Sequence, residues 1–385
     1  MPINNRIASF QKEMIGWRHH FHANPELAYE EVNTSNKVVS LLKQFGFSQI
    51  EKGIGKTGVV AVLENGKGKS IGLRADMDAL PIHEENSQKK YKSKTFGKMH
   101  ACGHDGHTTM LLGAARYLAE TKNFRGRVTF IFQPAEEGFA GAKAMIEDGL
   151  FKKYPVDEIY GMHNMPGVEK GIIAIEKGPR LAAADNFDIE IIGKGAHGAM
   201  PSNSIDPIVC GASIIQNIQS IVSRNSDPKE TLVITVASFN SGKANNVIPK
   251  TAKMNGTIRY YNDNIGKLAK KRFFEVIKST CSAFGAKSII NFKKGYPATI
   301  NHEKQSKFAF DVAKKVVGIK ATNNQKPMMG SEDFSYFLEK IPGCFAWIGN
   351  GDSASLHNPK YDFNDDVLSV GSSFFASLVE ERLAK

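Results

Sequence analysis

The chain has 385 residues, 41% hydrophobic and 23% charged, with a formal net charge of +11; that length predicts two domains, and the composition excludes disordered, collagen-like and low-complexity classes. The basic excess does not mark a nucleic-acid binder, because Lys89, Lys90, Lys92, Lys94 and Lys98 are scattered through a polar segment without interleaved aromatics, and a solvated basic surface with some pull on anionic substrates accounts for it. Four widely separated cysteines, Cys102, Cys210, Cys281 and Cys344, are too few for a disulfide framework, and with no apolar signal core after Met1 and no apolar window of membrane-spanning length the expectation is a cytoplasmic protein with no membrane partner.

In chain order, helical spacing runs from Ile7 to about Phe45 and breaks at Asn24-Pro25-Glu26, where the residue before proline disfavours helix, so two helices are expected. Residues 58–63 and 70–75 read as strands separated by the turn-prone 64–68. Helical periodicity returns at 108–119, and 127–132 is an apolar run suited to a buried strand. A further strand near 158–161 completes an alternation typical of an α/β sheet, which forms its sites beyond the carboxyl ends of its strands.

Between about 182 and 294 the pattern changes to strand 186–194, helix 206–225, strands 231–240 and 252–261, helix 265–284 and strand 288–293. This β-α-β-β-α-β order is the split, ferredoxin-like unit. Candidate ligands fall on both sides of it. The expected organisation is therefore a catalytic domain in two pieces, 1–181 and 295–385, with 182–294 inserted as a lid that hinges over the site.

The densest chemistry lies in His100-Ala101-Cys102-Gly103-His104-Asp105-Gly106-His107. Three imidazoles, a thiol and a carboxylate in eight residues are hard to explain by packing. Glu136 and Glu137 follow an apolar strand in Gln133-Pro134-Ala135-Glu136-Glu137-Gly138, and single histidines, His163 and His357, occur in Gly161-Met162-His163-Asn164 and Leu356-His357-Asn358-Pro359. Amide hydrolysis needs an activated water, a polarised carbonyl and a proton donor. Two divalent ions meet the first two needs, and a carboxylate shuttles the proton. Adjacent glutamates on an irregular turn suit that division, one ligating and one doing acid–base work. Cys102 and His104 reach one side only if the backbone is irregular, which Gly103 and Gly106 permit. Mixed Cys, His and Glu donors suit zinc, manganese, cobalt or nickel better than magnesium or calcium.

The segments His22-Ala23-Asn24-Pro25-Glu26-Leu27, Leu73-Arg74-Ala75-Asp76-Met77-Asp78-Ala79-Leu80-Pro81, 99–107, 132–138, Gly330-Ser331-Glu332-Asp333-Phe334 and 356–359 resemble, in order, the hippurate hydrolase and indole-acetyl-amino-acid hydrolase family of metal-dependent amidohydrolases. The resemblance implies a zinc-peptidase-like α/β catalytic domain carrying a ferredoxin-like α+β lid and dimerisation domain. It implies two divalent ions on Cys102, His104, Glu137, His163 and His357, with Glu136 as general base. From related aminoacylases and desuccinylases it implies an oxyanion donor in His197, within Gly195-Ala196-His197-Gly198, and substrate contacts from Asn246 and Arg259. The implied partner is a small N-acyl amino acid, hippurate-like or N-acetyl, and the implied assembly a homodimer through the lid.

Rival readings accompany these assignments. His100 and His107 are left out of the ligand set, as neighbours that brace ligands or cap a helix. Asp78 is expected to orient a ligand histidine, with a strand-end turn role for Asp76 and Asp78 as the rival reading. His197 has a glycine-rich turn, and Arg259 a surface ion pair, as the plainer role. His19, His20 and His22 read as structural, and Cys210, Cys281 and Cys344 as packing residues. Alternative functions are an N-acetyl-diaminopimelate deacetylase, a broad aminoacylase or dipeptidase, and, against the retained Glu136, a non-catalytic metal- or ligand-binding protein.

Overall fold

The computed structural model describes residues 4–385. The chain divides into two compact units, one built from the chain up to Arg180 with Ile300–Lys326 and Asp333–Lys385, the other from Leu181–Thr299 with Pro327–Glu332.

The larger unit is α/β. Helix Gln11–Ala23 buries Met14, Trp17 and Phe21 and stops at Asn24, the residue before Pro25; helix Val32–Gln44 buries Val38, Leu41 and Leu42. Its sheet runs in the order Gln49–Ile54, Gly58–Asn65, Gly126–Gln133, Ser70–Asp76, Glu158–Pro166, Gly343–Gly351, Ile173–Ala174, Ala321–Thr322. The edge strand Gln49–Ile54 has no counterpart in the sequence expectations, because Gln-Ile-Glu-Lys-Gly-Ile carries too few apolar residues to alternate. It is defined by antiparallel pairing, Gln49 opposite Val62. The central strands Gly126–Gln133, Ser70–Asp76, Glu158–Pro166 and Gly343–Gly351 are mutually parallel. Their carboxyl ends therefore emerge on one edge, and register sets Asp76 opposite Gln133 and His163 opposite Trp347. The strands are nearly continuous in burial, as a sheet covered on both faces requires.

The smaller unit follows the β-α-β-β-α-β pattern. Strands Leu232–Ser241, Thr251–Tyr260, Ala183–Ile192 and Lys287–Lys293 lie in that order, all antiparallel to their neighbours. Alternate residues face a core with helices Pro207–Ser220 and Asp263–Ala283, where Phe187, Ile189, Ile214, Met254, Phe273 and Ile277 are buried. Asp206 caps the first helix by accepting from the Ile208 and Val209 N–H groups, with Pro207 in the first turn. The bounds differ from expectation in three places: Leu181, residues 295–299 and Pro327–Glu332, all assigned above to the catalytic segments, group with this unit. The Ala182 N–H donates to the Gly330 carbonyl at 2.8 Å, and Leu181 bridges Met328 in parallel, pairings between segments too far apart in sequence for periodicity to reveal. No helix among the described residues is long and apolar enough to cross a membrane.

Candidate metal centre and active site

The carboxyl edge of the parallel strands gathers seven of the residues singled out in the sequence. Gly103 opens the turn with φ +88°, and a Cβ there would meet Asn164 Nδ2 at 2.2 Å and the Tyr361 hydroxyl at 2.6 Å. Only glycine fits, and the backbone reversal lets Cys102 and His104, the first residue of helix His104–Thr121, serve one site. Strand Glu158–Pro166 delivers His163, and its Nε2 lies 3.4 Å from Cys102 Sγ. After strand Gly126–Gln133 the backbone turns through Ala135 at φ 54°, ψ 43°, a left-handed conformation, into Glu136 and Glu137. His357, also left-handed at φ 64°, is tied by its N–H to the Ala101 carbonyl at 2.8 Å, and its Nε2 lies 3.2 Å from Glu137 Oε1.

The donor atoms form overlapping trios. Those of Cys102, His104 and His163 lie within 4.8 Å of one another, as do those of Cys102, Glu137 and His357, and those of His104, Glu136 and Glu137. Each histidine of the first trio has its other nitrogen committed. His104 Nδ1 is 3.2 Å from Asp78 Oδ1, and His163 Nδ1 donates to the Asn164 carbonyl at 2.6 Å. Both Nε2 atoms are left as the lone-pair nitrogens, the arrangement found when imidazoles ligate metal. His104 Nε2 is buried without a hydrogen bond, and Glu137 Oε1 has His357 Nε2 beside it. Donors converging on shared points, drawn from thiol, imidazole and carboxylate, fit a pair of borderline divalent ions.

Burial and neighbouring charge set the electrostatics of these groups. Burial, then the charges of Glu137 and Glu136, hold the Cys102 thiol well above its ordinary range, a penalty that cations beside the sulfur reverse. Burial opposes charge on His104, but Asp76 and Asp78 raise it to about 10, while burial and neighbouring His107 drive His163 well below the ordinary imidazole range. For Glu137, burial raises the carboxyl, yet His357 and His104 bring it below its usual value.

Asp78 does more than face His104: its Oδ2 accepts the Glu137 N–H at 2.9 Å, coupling imidazole and glutamate through one carboxylate. His107 is a brace. Its Nδ1 lies 2.6 Å from Asp76 Oδ1, and its Nε2 accepts from the Asn164 backbone and side-chain nitrogens at 2.9 and 3.0 Å, which leaves no nitrogen for an ion. His100 is buried with neither ring nitrogen hydrogen-bonded, and burial lowers it to about 4. His22 is buried between Asp105 and Glu84, at 2.8 and 3.2 Å.

Residues 72–381 match the family model described as Peptidase family M20/M25/M40. The chain belongs to this family. It is 44% identical to the hippurate hydrolase of Campylobacter jejuni over 98% of each chain, and 39% identical to the N-acetyl-L-cysteine deacetylase of Bacillus subtilis over 99% of this chain and 90% of that one. Among solved structures it resembles a Bacillus subtilis protein described as a dinuclear metal binding peptidase from the M20 family, with 33% identity, a TM-score of 0.86, and 98% and 99% of the two chains covered.

Three residues singled out in this M20-family sequence lie in the smaller unit. His197, on strand Ala196–His197, pairs opposite Val247, and its Nδ1 accepts the Ala199 N–H at 3.1 Å. Asn246 is joined to the same turn, its carbonyl accepting the Gly198 N–H at 2.7 Å. Arg259, on strand Thr251–Tyr260, donates Nε–H to Thr257 Oγ1 at 3.1 Å and makes no ion pair among the described residues, so the surface-pair reading fails. Several supporting residues carried no role in the sequence reading. Asn164 donates to the Cys102 carbonyl at 2.7 Å and accepts from the Tyr361 hydroxyl at 2.6 Å. Asp333 binds Arg74 at 3.1 Å, and accepts from Gln133 at 2.8 Å and from the Ala142 N–H at 2.9 Å. Asp333 had a signal in the Gly330–Phe334 motif; Asn164 had only its place after His163.

Proposed function

We propose that the protein is a metal-dependent amidohydrolase that cleaves the amide bond of N-acyl amino acids, releasing a carboxylate and a free amino acid. The observation that carries this reading is the set of overlapping donor trios of thiol, imidazole and carboxylate, one of which includes Glu136. Cys102, His104, Glu137, His163 and His357 would hold two divalent ions, of zinc, manganese, cobalt or nickel. Bound there, such ions polarise the amide carbonyl and acidify water.

Glu136, 6% exposed, takes the proton of the attacking water and returns it to the departing amine nitrogen. Asp78 holds the His104 ring and the Glu137 backbone in register for this. His197, Asn246 and Arg259 are assigned to the substrate: His197 donates to the developing oxyanion, and the Arg259 guanidinium, with no acidic partner among the described residues, suits the free carboxylate of an acylated amino acid. The 44% identity with a hippurate hydrolase favours an aromatic acyl group over acetyl. Pairing of two copies through the smaller unit belongs to the same reading and is checked by the mass of the particle in solution.

The test is amino-acid release from N-benzoyl, N-acetyl and indole-acetyl amino acids by protein reconstituted separately with the four metals. Release that a chelator abolishes supports the reading, with benzoyl substrates expected to lead. No release with any metal overturns it.

A further inference from the structure

The segment carrying Glu136 is held by three carboxylates from three separate parts of the chain, each accepting one of its backbone N–H groups. Asp78 takes Glu137, Asp333 takes Ala142, and Glu31 takes Ala135 at 2.8 Å. Unlike Asp78, which also faces His104, Glu31 hydrogen-bonds none of the proposed ligands; it is fully buried and uses its second oxygen to accept the Thr57 hydroxyl at 2.5 Å. Thr57 is itself fixed, since its carbonyl accepts the Ser35 hydroxyl. The residue that Glu31 grips is the left-handed Ala135, a conformation costing an alanine about 1 kcal/mol. The side chain directly following that strained residue is Glu136.

We infer that Glu31 is a positioning residue, holding Ala135 in its left-handed conformation so that the Glu136 carboxylate points where the proton is transferred. The inference rests on the reading of Glu136 as the acid–base group. Acceptance of the N–H is what matters, rather than negative charge. Burial, with the charge of Asp78, raises the Glu31 carboxyl to about 7, so neutral and ionised forms coexist near neutrality while one oxygen still faces Ala135. A glutamine reproduces the neutral form, with its carbonyl to Ala135 and its amide to Thr57 Oγ1.

The experiment compares Glu31→Ala, Glu31→Gln and Thr57→Val with the wild type, each metal-reconstituted, by steady-state kinetics, bound metal per chain, and hydrogen–deuterium exchange of peptides spanning 133–142. For Glu31→Ala we expect faster exchange of that segment and a fall in kcat of about 10- to 100-fold, with KM and metal content as in the wild type. Glu31→Gln should restore slow exchange and keep kcat within about threefold, and Thr57→Val should fall between. Wild-type exchange and kcat in Glu31→Ala overturn the inference, as does a loss of metal in proportion to activity. Should Glu31→Ala fail to fold, Thr57→Val decides between the same outcomes. A wild type that releases no amino acid from any substrate sinks the reaction assignment, and the exchange comparison still decides whether Glu31 holds the turn.

Discussion

The two units treat buried charge in opposite ways. Within the larger one, Arg18, Arg74, Asp76, Asp78, Asp105, Glu136 and Glu31 are buried with His22, His100, His104, His107 and His163. In the smaller one the described buried acids are Asp185 and Glu332; Asp185 accepts from the Tyr260 hydroxyl at 3.0 Å and the Gly295 N–H at 3.1 Å, beneath a core of Phe, Ile and Met. Removing ions from water costs several kcal/mol each unless partners offset it, so a fold of ordinary stability concentrates such groups where chemistry uses them. Much of the buried charge in the larger unit is paired, as in Arg74 with Asp76 and Asp333, and His104 Nε2, buried without a hydrogen bond, falls within the donor trios.

The largest expected effect tests whether the orphaned edge is a reaction centre. Glu136→Gln should lower kcat by roughly 10³-fold while metal content, measured by elemental analysis, stays at the wild-type value; near-normal turnover would remove Glu136 from the acid–base role. In contrast, Cys102→Ala or His357→Ala should reduce bound metal, and unchanged stoichiometry would strike that residue from the ligand set. Chelation should abolish turnover in the wild type and restore it on metal addition.

Next comes the cost of unpairing buried charge. Arg18 lies buried with Nε 2.6 Å from Asp365 and Nη1 3.3 and 3.5 Å from Asp362 and Asp105. Arg18→Ala should destabilise by about 3–5 kcal/mol in urea unfolding, and a loss under about 1 kcal/mol would mean the network is solvated rather than dry.

His22 gives the same region a pH dependence. Burial alone would lower its imidazole, but Asp105 and Glu84 raise it to about 9, against about 6.5 in the unfolded chain. The folded protein therefore holds the extra proton between these values. The resulting stability, about 3 kcal/mol, is full below pH 6.5 and disappears as pH climbs through 9. His22→Gln should flatten that slope, and equal slopes in variant and wild type would exclude His22 as its source.

How much of this was readable beforehand follows the same division. The smaller unit's element order was legible because alternation and helical period are local, and its apolar core leaves them undisturbed. The His100–His107 cluster and the paired glutamates were conspicuous for the same reason. What distinguishes one histidine from another was not legible: His104 and His107 sit one turn apart, and only their partners, Asp78 for one and Asp76 with Asn164 for the other, leave the first with a free nitrogen. Likewise Glu31 reaches Ala135 and Asp333 reaches Gln133 across sequence separations of 104 and 200, which no periodicity encodes. The strand Gln49–Ile54 and the return segment Pro327–Glu332 are set by pairing of this kind too.

The smallest effect sharpens the comparison from the other side. Ile277 is fully buried in helix Asp263–Ala283, within the apolar core of the smaller unit, where no ionic group depends on it. Ile277→Val deletes one methylene and should cost about 1 kcal/mol, a transfer and cavity cost alone. Bound metal should stay at its wild-type level, and kcat should change by less than about threefold, since a packing loss of this size leaves the backbone in place. The contrast with Arg18→Ala is then one of kind, because the first removes contact area and the second strands charges. Calorimetry and kinetics on the same preparation check it. A fall in metal content with Ile277→Val would mean that the donor trios depend on packing in the apolar unit, and the division of buried charge between the units would no longer explain where the chemistry lies.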